Sequence, residues 1–314
     1  MPEIIPVIIN PAAGRKKRLA VLLERLILFS PEVPTLSLLS LERVRERIDS
    51  AFSEWGMNVR IILTSAPGEA TEIATQLAEK GEKLVVAVGG DGTINEVVNG
   101  LAGSSAALGV IPMGTSNSFA IGLGIPLALA GAVDVIRRRK IRSIDLGKVG
   151  NRYFAMGVGM SLDTLTLESI EPHGKRWFGA AAYLKGLFVA LFYAFPKLDI
   201  EADGGHSHRG CYHVVISNVG FYGGFFCVAE HARTDDGKLD VSLFKKKGVF
   251  DLMRYVLAAR RGNLAKCRDV VRFQCRRLQV TSAVPVDVHL DAEICETTPC
   301  EIECIRSAVS VVAP

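Results

Sequence analysis

Short apolar runs alternate with amphipathic segments along the first 142 residues. A run of four to eight apolar residues between turn signals is typical of a buried strand, and apolar residues at i, i+3, i+4 and i+7 are typical of a helix. Buried strands are predicted at residues 4–10, 59–63, 83–88 and 107–111. Helices are predicted at 15–29, 41–55, 67–80, 94–101 and 127–139, with an inserted loop at 30–40. Alternating strands and helices indicate a doubly wound parallel sheet.

The pattern changes near Ser143, after which most segments resemble strands joined by turns. Turn signals occur at 150–151, 203–205 and 235–237, and helices are predicted near 161–170, 177–194 and 248–261. We therefore expect an α/β domain over residues 1–142 and a mostly antiparallel β domain over 143–304. The segment from roughly 305 to 314 is free to return to the first domain. An active-site cleft is expected between the two domains.

Composition narrows the class of protein. Hydrophobic residues make up 49% of the 314 residues and charged residues 22%, so a packed core is expected. The chain shows no signal peptide, and its seven cysteines include no zinc-binding spacing, which favours a reducing, cytoplasmic setting. The net charge of +4 is too small to indicate nucleic-acid binding. Basic clusters at 15–18, 137–142, 245–247 and 276–277 could meet phosphates or an anionic membrane, or could simply be solvated.

One segment raises the question of a membrane span. Residues 177–195 are apolar and aromatic apart from Lys185. A lysine at the centre of a spanning helix is costly, and Gly179 and Gly186 weaken the helix further. We expect a buried or surface-lying helix, and contact with lipid stays open.

The sequence "GGDGT" at residues 89–93 follows a predicted strand and begins a predicted helix. Glycine permits positive φ and close approach to the backbone, and free N–H groups at a helix start bind anions. Gly89, Gly90 and Gly92 therefore fit a phosphate-binding turn. Keeping Asp91 there suggests a cation such as Mg²⁺, or a hydroxyl donor, beside the phosphate. The alternative is a tight turn in which Asp91 is the helix N-cap.

The other loops that follow the predicted strands are expected at the same sheet edge, where ligands of such sheets bind. They are "NPAAG" (10–14), "TSAPG" (64–68) and "MGTSN" (113–117). The positive charge of residues 15–18 opposes the dipole of the helix predicted there. A bound polyphosphate would reverse that effect, although these side chains could also point into water.

Several motifs, in this order, resemble the diacylglycerol and lipid kinase family of the bacterial soluble type, which includes sphingoid-base kinases. They are "NPAAG", "GGDGTINEVVNGL", "LGVIPMGTSNSFAIGLGIP", "TDDGKLDV" (234–241) and "DAE" (291–293). "GGDGT" alone is shared with NAD kinases and phosphofructokinases, whose N-terminal fold the resemblance also implies. Without the resemblance, "DAE" and "TDDGK" would be interpreted as ordinary turns.

The resemblance implies an ATP-dependent kinase that phosphorylates a lipid hydroxyl with Mg²⁺, most simply diacylglycerol to phosphatidic acid. Glu293 would be the general base, with Asp291 beside it, and Asp91 would also be catalytic. Mg²⁺ would be held by the Asp236 carboxylate and the backbone carbonyls of Arg233 and Lys238. The implied nucleotide contacts are Asn10, Pro11, Ala12, Ala13, Gly14, Thr64, Gly90, Asp91, Gly92, Thr93, Ile94, Asn95, Glu96 and Thr115.

Departures from the family pattern keep alternatives open. Ala292 stands where the family has glycine, and alanine is strained there if the position requires positive φ. Ser116 and Ser118 replace a common Gly and Asp. The alternatives are a sphingoid-base or other lipid kinase, a kinase for a soluble substrate such as NAD, and an inactive lipid- or nucleotide-binding protein. A peripheral membrane surface and a lipid substrate are the expected partners. Nucleic acid is not expected, and a homodimer is left open.

Overall fold

The computed structural model describes residues 3–12, 39–114, 116–161, 195–222 and 226–314. These residues form two compact units. Unit 1 contains the described residues up to Ile144 together with Ser307–Pro314, and unit 2 contains those from Asp145 to Arg306.

Unit 1 is built on a parallel sheet. Its elements are β1 (Ile4–Ile9), α1 (Leu41–Ser53), β2 (Asn58–Leu63), α2 (Glu69–Glu79), β3 (Leu84–Gly89), α3 (Asp91–Leu101), β4 (Ala107–Pro112), α4 (Ser118–Gly122) and α5 (Leu129–Arg138). The strand order is β2-β1-β3-β4, and all of these pairs are parallel. This confirms the predicted α/β fold. β3 and β4 are buried along their whole length, as their apolar runs predicted.

The helices of unit 1 follow the predicted spacing. In α3, Ile94, Val97, Val98 and Leu101 are all fully buried, so the periodic apolar face packs into the core. The start of α2 differs from the prediction. Its N-cap is Gly68 in the left-handed region, so the proline at position 67 precedes the helix instead of occupying its first turn. The predicted helix at 15–29 and most of the inserted loop lie outside the described residues.

Unit 2 is mostly antiparallel β. Its elements are β5 (Ile141–Val149), which begins in unit 1, β6 (Arg152–Phe154), β7 (Gly157–Met160), β8 (Leu198–Ala202), β9 (His206–Cys211), β10 (His213–Ser217), β11 (Phe221–Tyr222), β12 (Phe226–Cys227), β13 (Leu239–Phe244), α6 (Val249–Arg260), β14 (Val270–Cys275), β15 (Arg277–Ser282), β16 (Asp287–Leu290), β17 (Glu293–Thr297) and β18 (Cys300–Val312). Ser310 and Val311, at the end of β18, pair in parallel with β4 of unit 1.

Two sets of strands enclose the core of unit 2. One has the order β14-β13-β10-β7-β16-β17, and the other runs from the first half of β18 through β15 and β8 to β9. All of these pairs are antiparallel, as predicted. Val158, Ile216 and Val241 of the first set pack with Leu278 and Ile302 of the second in one apolar cluster.

The predicted helix at 248–261 is α6. The helix predicted at 177–194 lies outside the described residues, and so does the one predicted at 161–170 apart from its first residue. Among the described helices, none combines the length and the apolar character that crossing a bilayer requires. All seven cysteines are free. Burial raises the pKa of the Cys275, Cys300 and Cys304 thiols to about 12, so these three behave as small core residues.

Candidate functional site

The loops that follow the parallel strands of unit 1 lie at one edge of its sheet, because neighbouring parallel strands end on the same side. The loop after β3 meets the loop after β4 through bare backbone. A Cβ atom built on Gly114 would lie 2.5 Å from the Cα of Gly90. A side chain at either position would push the two loops apart.

The glycines of "GGDGT" serve this packing rather than unusual dihedral angles. Gly90 has φ −87°, and neither Gly89 nor Gly92 has positive φ, so of the two properties that glycine offers here, close approach to the backbone is the one that is used. A Cβ on Gly89 would lie 2.6 Å from the Cβ of Thr93. Gly92 is exposed, and a Cβ built on it would meet nothing within 4 Å, which leaves bare backbone open to a ligand.

The first turn of α3 presents backbone donors at this edge. Gly90 is the N-cap, and the first helical hydrogen bond runs from the N–H of Ile94 to the carbonyl of Gly90 over 3.0 Å. The N–H groups of Asp91, Gly92 and Thr93 precede that bond and have no acceptor within the helix. Together with the helix dipole, such groups attract an anion.

Asp91 connects two of the loops. Because Gly90 occupies the N-cap position, the alternative interpretation of Asp91 as the N-cap is wrong. Its carboxylate accepts hydrogen bonds from the N–H groups of Ser118, over 3.0 Å, and Phe119, over 3.2 Å. Burial raises the pKa of the Asp91 carboxyl, and these N–H groups and the Ser118 hydroxyl oppose that increase. The side chain thus holds the start of α4 against the start of α3.

Asn117 shapes the loop after β4 in a similar way. Its Oδ1 accepts from the N–H of Gly114 over 2.8 Å, and its Nδ2 donates to the carbonyl of the same residue over 3.1 Å. Asn117 is buried and has φ +50°, a conformation that asparagine tolerates better than most residues. Thr115, between these two residues, lies outside the described residues.

The loop after β1 is fixed by its asparagine. Asn10 Nδ2 donates to Thr93 Oγ1 over 3.1 Å, and Asn10 Oδ1 accepts from the N–H of Ala12 over 2.9 Å. Asn10 and Ala12, with Pro11 between them, are therefore held beside the first turn of α3. Thr64 follows β2, and its N–H donates to the carbonyl of the last residue of β1 over 3.0 Å. Ala13 and Gly14 lie outside the described residues.

Three of the residues predicted to contact a nucleotide are used inside unit 1. Ile94 is fully buried in the core. Asn95 is buried and accepts a hydrogen bond from the side chain of Asn99 over 3.1 Å. Glu96 Oε2 accepts from the N–H of Ala70 over 3.1 Å, which ties α3 to the start of α2. Their side chains support α3, whereas Asp91, Gly92 and Thr93 form its first turn, in which Gly92 is exposed.

The "DAE" turn of unit 2 connects β16 to β17 and is built on positive dihedral angles. Asp291 has φ +48° and Ala292 has φ +71°. The Asp291 carboxylate accepts hydrogen bonds from the N–H groups of Ala155, Met156 and Gly157 over 2.7, 2.9 and 2.8 Å. Because Ala292 has positive φ, the backbone strain expected for alanine in this conformation is present.

Glu293 differs from Asp291 in its surroundings. It is the first residue of β17, its side chain is 60% exposed, and it forms an ion pair with Arg152 of β6. Arg152 was not among the predicted site residues. It precedes two apolar residues in an ordinary hairpin, so only the three-dimensional pairing identifies it.

The turn predicted to hold a metal is organised by a buried aspartate that sequence reasoning missed. Asp145 is 2% exposed, its carboxylate accepts from the N–H of Gly237 over 2.6 Å, and its own N–H donates to the carbonyl of Thr234 over 2.6 Å. Asp236 Oδ1 accepts from the N–H of Lys238 over 3.0 Å. A single aspartate within a strand of mixed polar and apolar residues gives a weak signal in the sequence.

The donor atoms of this turn suit a hard cation. The predicted ligands are the carboxylate of Asp236 and the backbone carbonyls of Arg233 and Lys238, and oxygen is the ligand that Mg²⁺ prefers. Within the described residues, no cluster of three or more His, Cys, Asp or Glu side chains could hold a metal. Any cation here would therefore depend on backbone carbonyls and water in addition to the carboxylate.

Two family models match the chain. Residues 38–149 match the diacylglycerol kinase catalytic domain, and residues 159–313 match the YegS C-terminal NAD kinase beta sandwich-like domain. A diacylglycerol kinase of Bacillus subtilis (strain 168) is 31% identical over 267 residues, which cover 84% of this chain and 88% of that protein. A diacylglycerol kinase of Staphylococcus aureus (strain JH9) is 28% identical over 311 residues, covering 98% and 91%.

Solved structures show the same fold. A crystal structure of a diacylglycerol kinase from Bacillus anthracis str. Sterne aligns with a TM-score of 0.68 at 23% identity, covering 99% of this chain and 97% of that one. Another crystal structure from the same organism aligns with a TM-score of 0.73 at 24% identity, with the same coverage of both chains.

Proposed function

The chain belongs to the diacylglycerol kinase family, a family of lipid kinases, and on that premise we propose that it transfers the terminal phosphate of ATP to the hydroxyl group of diacylglycerol. The observation that supports nucleotide binding is the first turn of α3, where Gly92 is exposed. Its N–H groups have no acceptor within the helix, Gly92 leaves bare backbone in open space, and the loops after β1 and β4 are fixed beside it. This arrangement suits a phosphate chain.

Asp91 has a positioning role in this proposal. A carboxylate close to bound phosphate would repel it, but the charge of Asp91 is stabilised by the two N–H groups at the start of α4. Asp91 thereby aligns the loops after β3 and β4, so that their backbone donors face one ligand. Phosphoryl transfer depends mainly on such positioning and on neutralising charge.

Glu293 is the proposed general base. Its carboxylate is exposed, so an alcohol could approach it, and the ion pair with Arg152 fixes its orientation. Asp291 fits this role poorly, because three backbone N–H groups already occupy its carboxylate. We assign Asp291 to positioning, since it holds the turn from which Glu293 projects. Transfer requires that Glu293 reach the hydroxyl group beside the phosphate held by unit 1.

Mg²⁺ is proposed at the turn that Asp145 organises. Asp236 would hold it with the carbonyl groups of Arg233 and Lys238. When bound, the cation would supply concentrated positive charge beside the Asp236 carboxylate, where the Arg233 side chain is already paired with Asp235 over 3.1 Å. Asp145 would maintain the turn in the geometry that the cation requires.

The substrate is tested by identifying the product. The protein is incubated with ATP, Mg²⁺ and an equimolar dispersion of diacylglycerol, monoacylglycerol and sphingosine, with NAD in solution. Mass spectrometry should find phosphatidic acid as the main product. Phosphorylated sphingosine or NADP as the main product would replace diacylglycerol as the substrate, and nucleotide binding without any product would overturn the kinase proposal.

A further inference from the structure

Helix α6 of unit 2 has two apolar faces. Leu252, Tyr255 and Ala259 are buried and pack in a cluster with residues of the neighbouring strands. On the other face, Phe250 is 88% exposed, Met253 43% and Leu257 47%. The spacing i, i+3 and i+7 places these three side chains in one line along the helix. We call this line the α6 stripe.

Basic residues surround the α6 stripe. Residues 245–269 contain eight lysines and arginines and two aspartates, a formal charge of +6, although the whole chain carries only +4. At 100° per residue, Arg254 and Arg261 lie along one side of the α6 stripe and Arg260 along the other. Asp251 and Asp269 both bind Arg254, and Asp251 also pairs with Lys246 over 3.9 Å, so their negative charge is directed mainly at these two cations.

An open pocket of about 440 Å³ lies beside the helix. Lys246, Arg254, Lys266 and Arg268 line it together with the two aspartates, and Lys246 is 58% exposed. None of these residues belongs to the candidate catalytic, nucleotide or metal sets. The pocket therefore has a surplus of positive charge and room for a small anionic group next to the α6 stripe.

We propose that α6 docks the protein onto an anionic lipid bilayer. Phe250, Met253 and Leu257 enter the boundary between headgroups and acyl chains, while the surrounding lysines and arginines bind anionic headgroups. Apolar residues on one face with cations beside them are typical of helices that lie in the membrane interface. The inference rests on the proposed function, because diacylglycerol resides in a bilayer.

The positive charge around the α6 stripe favours an anionic bilayer, and not a second copy of the chain, as the binding partner. In a two-fold symmetric dimer the α6 stripe would meet itself, and the basic residues of one copy would face those of the other. Lysine is also depleted in protein–protein interfaces. An anionic membrane buries the apolar side chains and pairs with the basic ones at the same time.

The test is vesicle sedimentation of the full chain without nucleotide, so that its outcome does not depend on phosphoryl transfer. Vesicles of phosphatidylcholine alone are compared with vesicles containing equal parts of phosphatidylcholine and phosphatidylglycerol. The double variants Phe250→Ser/Leu257→Ser and Lys266→Gln/Arg268→Gln are compared with two matched controls. Val284→Ser changes another exposed apolar residue of unit 2, and Arg45→Gln/Arg47→Gln removes two exposed charges from α1.

We expect the wild type and both controls to bind the anionic vesicles, and each α6-region variant to bind them about tenfold more weakly. Thermal melts verify that all variants are folded. Failure of the folded wild type to bind, equal binding to both vesicle types, or unchanged binding by the variants would overturn the inference. A dimer in solution that Phe250→Ser/Leu257→Ser dissociates would assign the α6 stripe to a second copy instead. Binding without kinase activity would leave α6 docking supported and remove only the proposed function.

Discussion

The carboxylate of Asp91, in the first turn of α3, accepts a hydrogen bond from the backbone N–H of Ser118, 3.0 Å away at the first residue of α4. This contact joins residues that are 27 positions apart in the chain. It connects the loops that follow two adjacent parallel strands and holds the start of α4 against the start of α3.

Replacing Asp91 by alanine should affect both stability and turnover. The N–H groups of Ser118 and Phe119 lose their acceptor, which should lower the free energy of unfolding by about 1–2 kcal/mol. Misaligned phosphate donors should reduce kcat/KM for ATP by a factor of about 100 or more. Urea melts and steady-state kinetics measure the two effects, with Asp49→Ala on the exposed face of α1 as the control. Kinetics close to wild type would remove Asp91 from the nucleotide site.

Two glycine variants distinguish the packing of two loops against each other from the approach of ATP to the backbone. Gly114→Ala places a Cβ 2.5 Å from the Cα of Gly90, so both the melting temperature and ATP affinity should fall. Gly92→Ala meets no neighbouring atom, so the melting temperature should not fall, yet the methyl group should weaken ATP binding. Calorimetry with ATP and thermal melts test both. If ATP binds Gly92→Ala as tightly as the wild type, phosphate does not contact this backbone.

Replacing Ala292 by glycine should remove the backbone strain at this position. With φ +71°, alanine pays a steric penalty that glycine avoids, so Ala292→Gly should raise the free energy of unfolding by about 1 kcal/mol. Ala51→Gly, inside helix α1, should instead lower it by a similar amount. Urea denaturation of both variants checks the opposite signs. A loss of stability in Ala292→Gly would show that the turn is not strained.

The parallel sheet was predictable from sequence because the apolar runs of β1, β3 and β4 are long, and their alternation with helices allows few topologies. The role of the glycines was not predictable. Gly90 and Gly114 are needed because two distant loops touch, whereas their dihedral angles are ordinary. Arg152 and Asp145 were also missed, since each acts through a partner more than 90 positions away in the chain.

The two acids of the "DAE" turn should respond differently to loss of charge. Glu293→Gln should lower kcat by about 10²–10⁴ with little change in stability, because its side chain is exposed. Asp291→Asn should lower the melting temperature, because an amide cannot satisfy three N–H groups as the carboxylate does. Kinetics and thermal melts on both variants distinguish the roles. A loss of tenfold or less in Glu293→Gln would exclude it as the general base.

Low pH should reduce the stability of unit 2, because protonation of Asp269 removes a stabilising ion pair. The Arg254 guanidinium, and then the Tyr255 hydroxyl, lower the pKa of Asp269 to about 2, below its ordinary value near 4. Because the folded-state pKa is depressed, this stabilisation is present above about pH 4 and is lost as the pH falls toward 2. Asp269→Asn should therefore lower the free energy of unfolding at pH 7 and have almost no effect near pH 2. Urea denaturation of the wild type and Asp269→Asn between pH 2 and pH 7 measures this difference in the free energy of unfolding, with Asp49→Asn as the control. A difference that does not change with pH would contradict the stabilising ion pair.

The most direct test of the kinase assignment follows the transferred phosphate itself. Wild type and Asp91→Ala are given ATP labelled with ³²P at the γ position, together with Mg²⁺ and diacylglycerol dispersed in detergent. We expect label to move into phosphatidic acid with the wild type, and the rate to fall about 100-fold or more in the variant. Label that remains in ATP, appears only as inorganic phosphate, or reaches phosphatidic acid equally fast in both proteins would contradict the assignment.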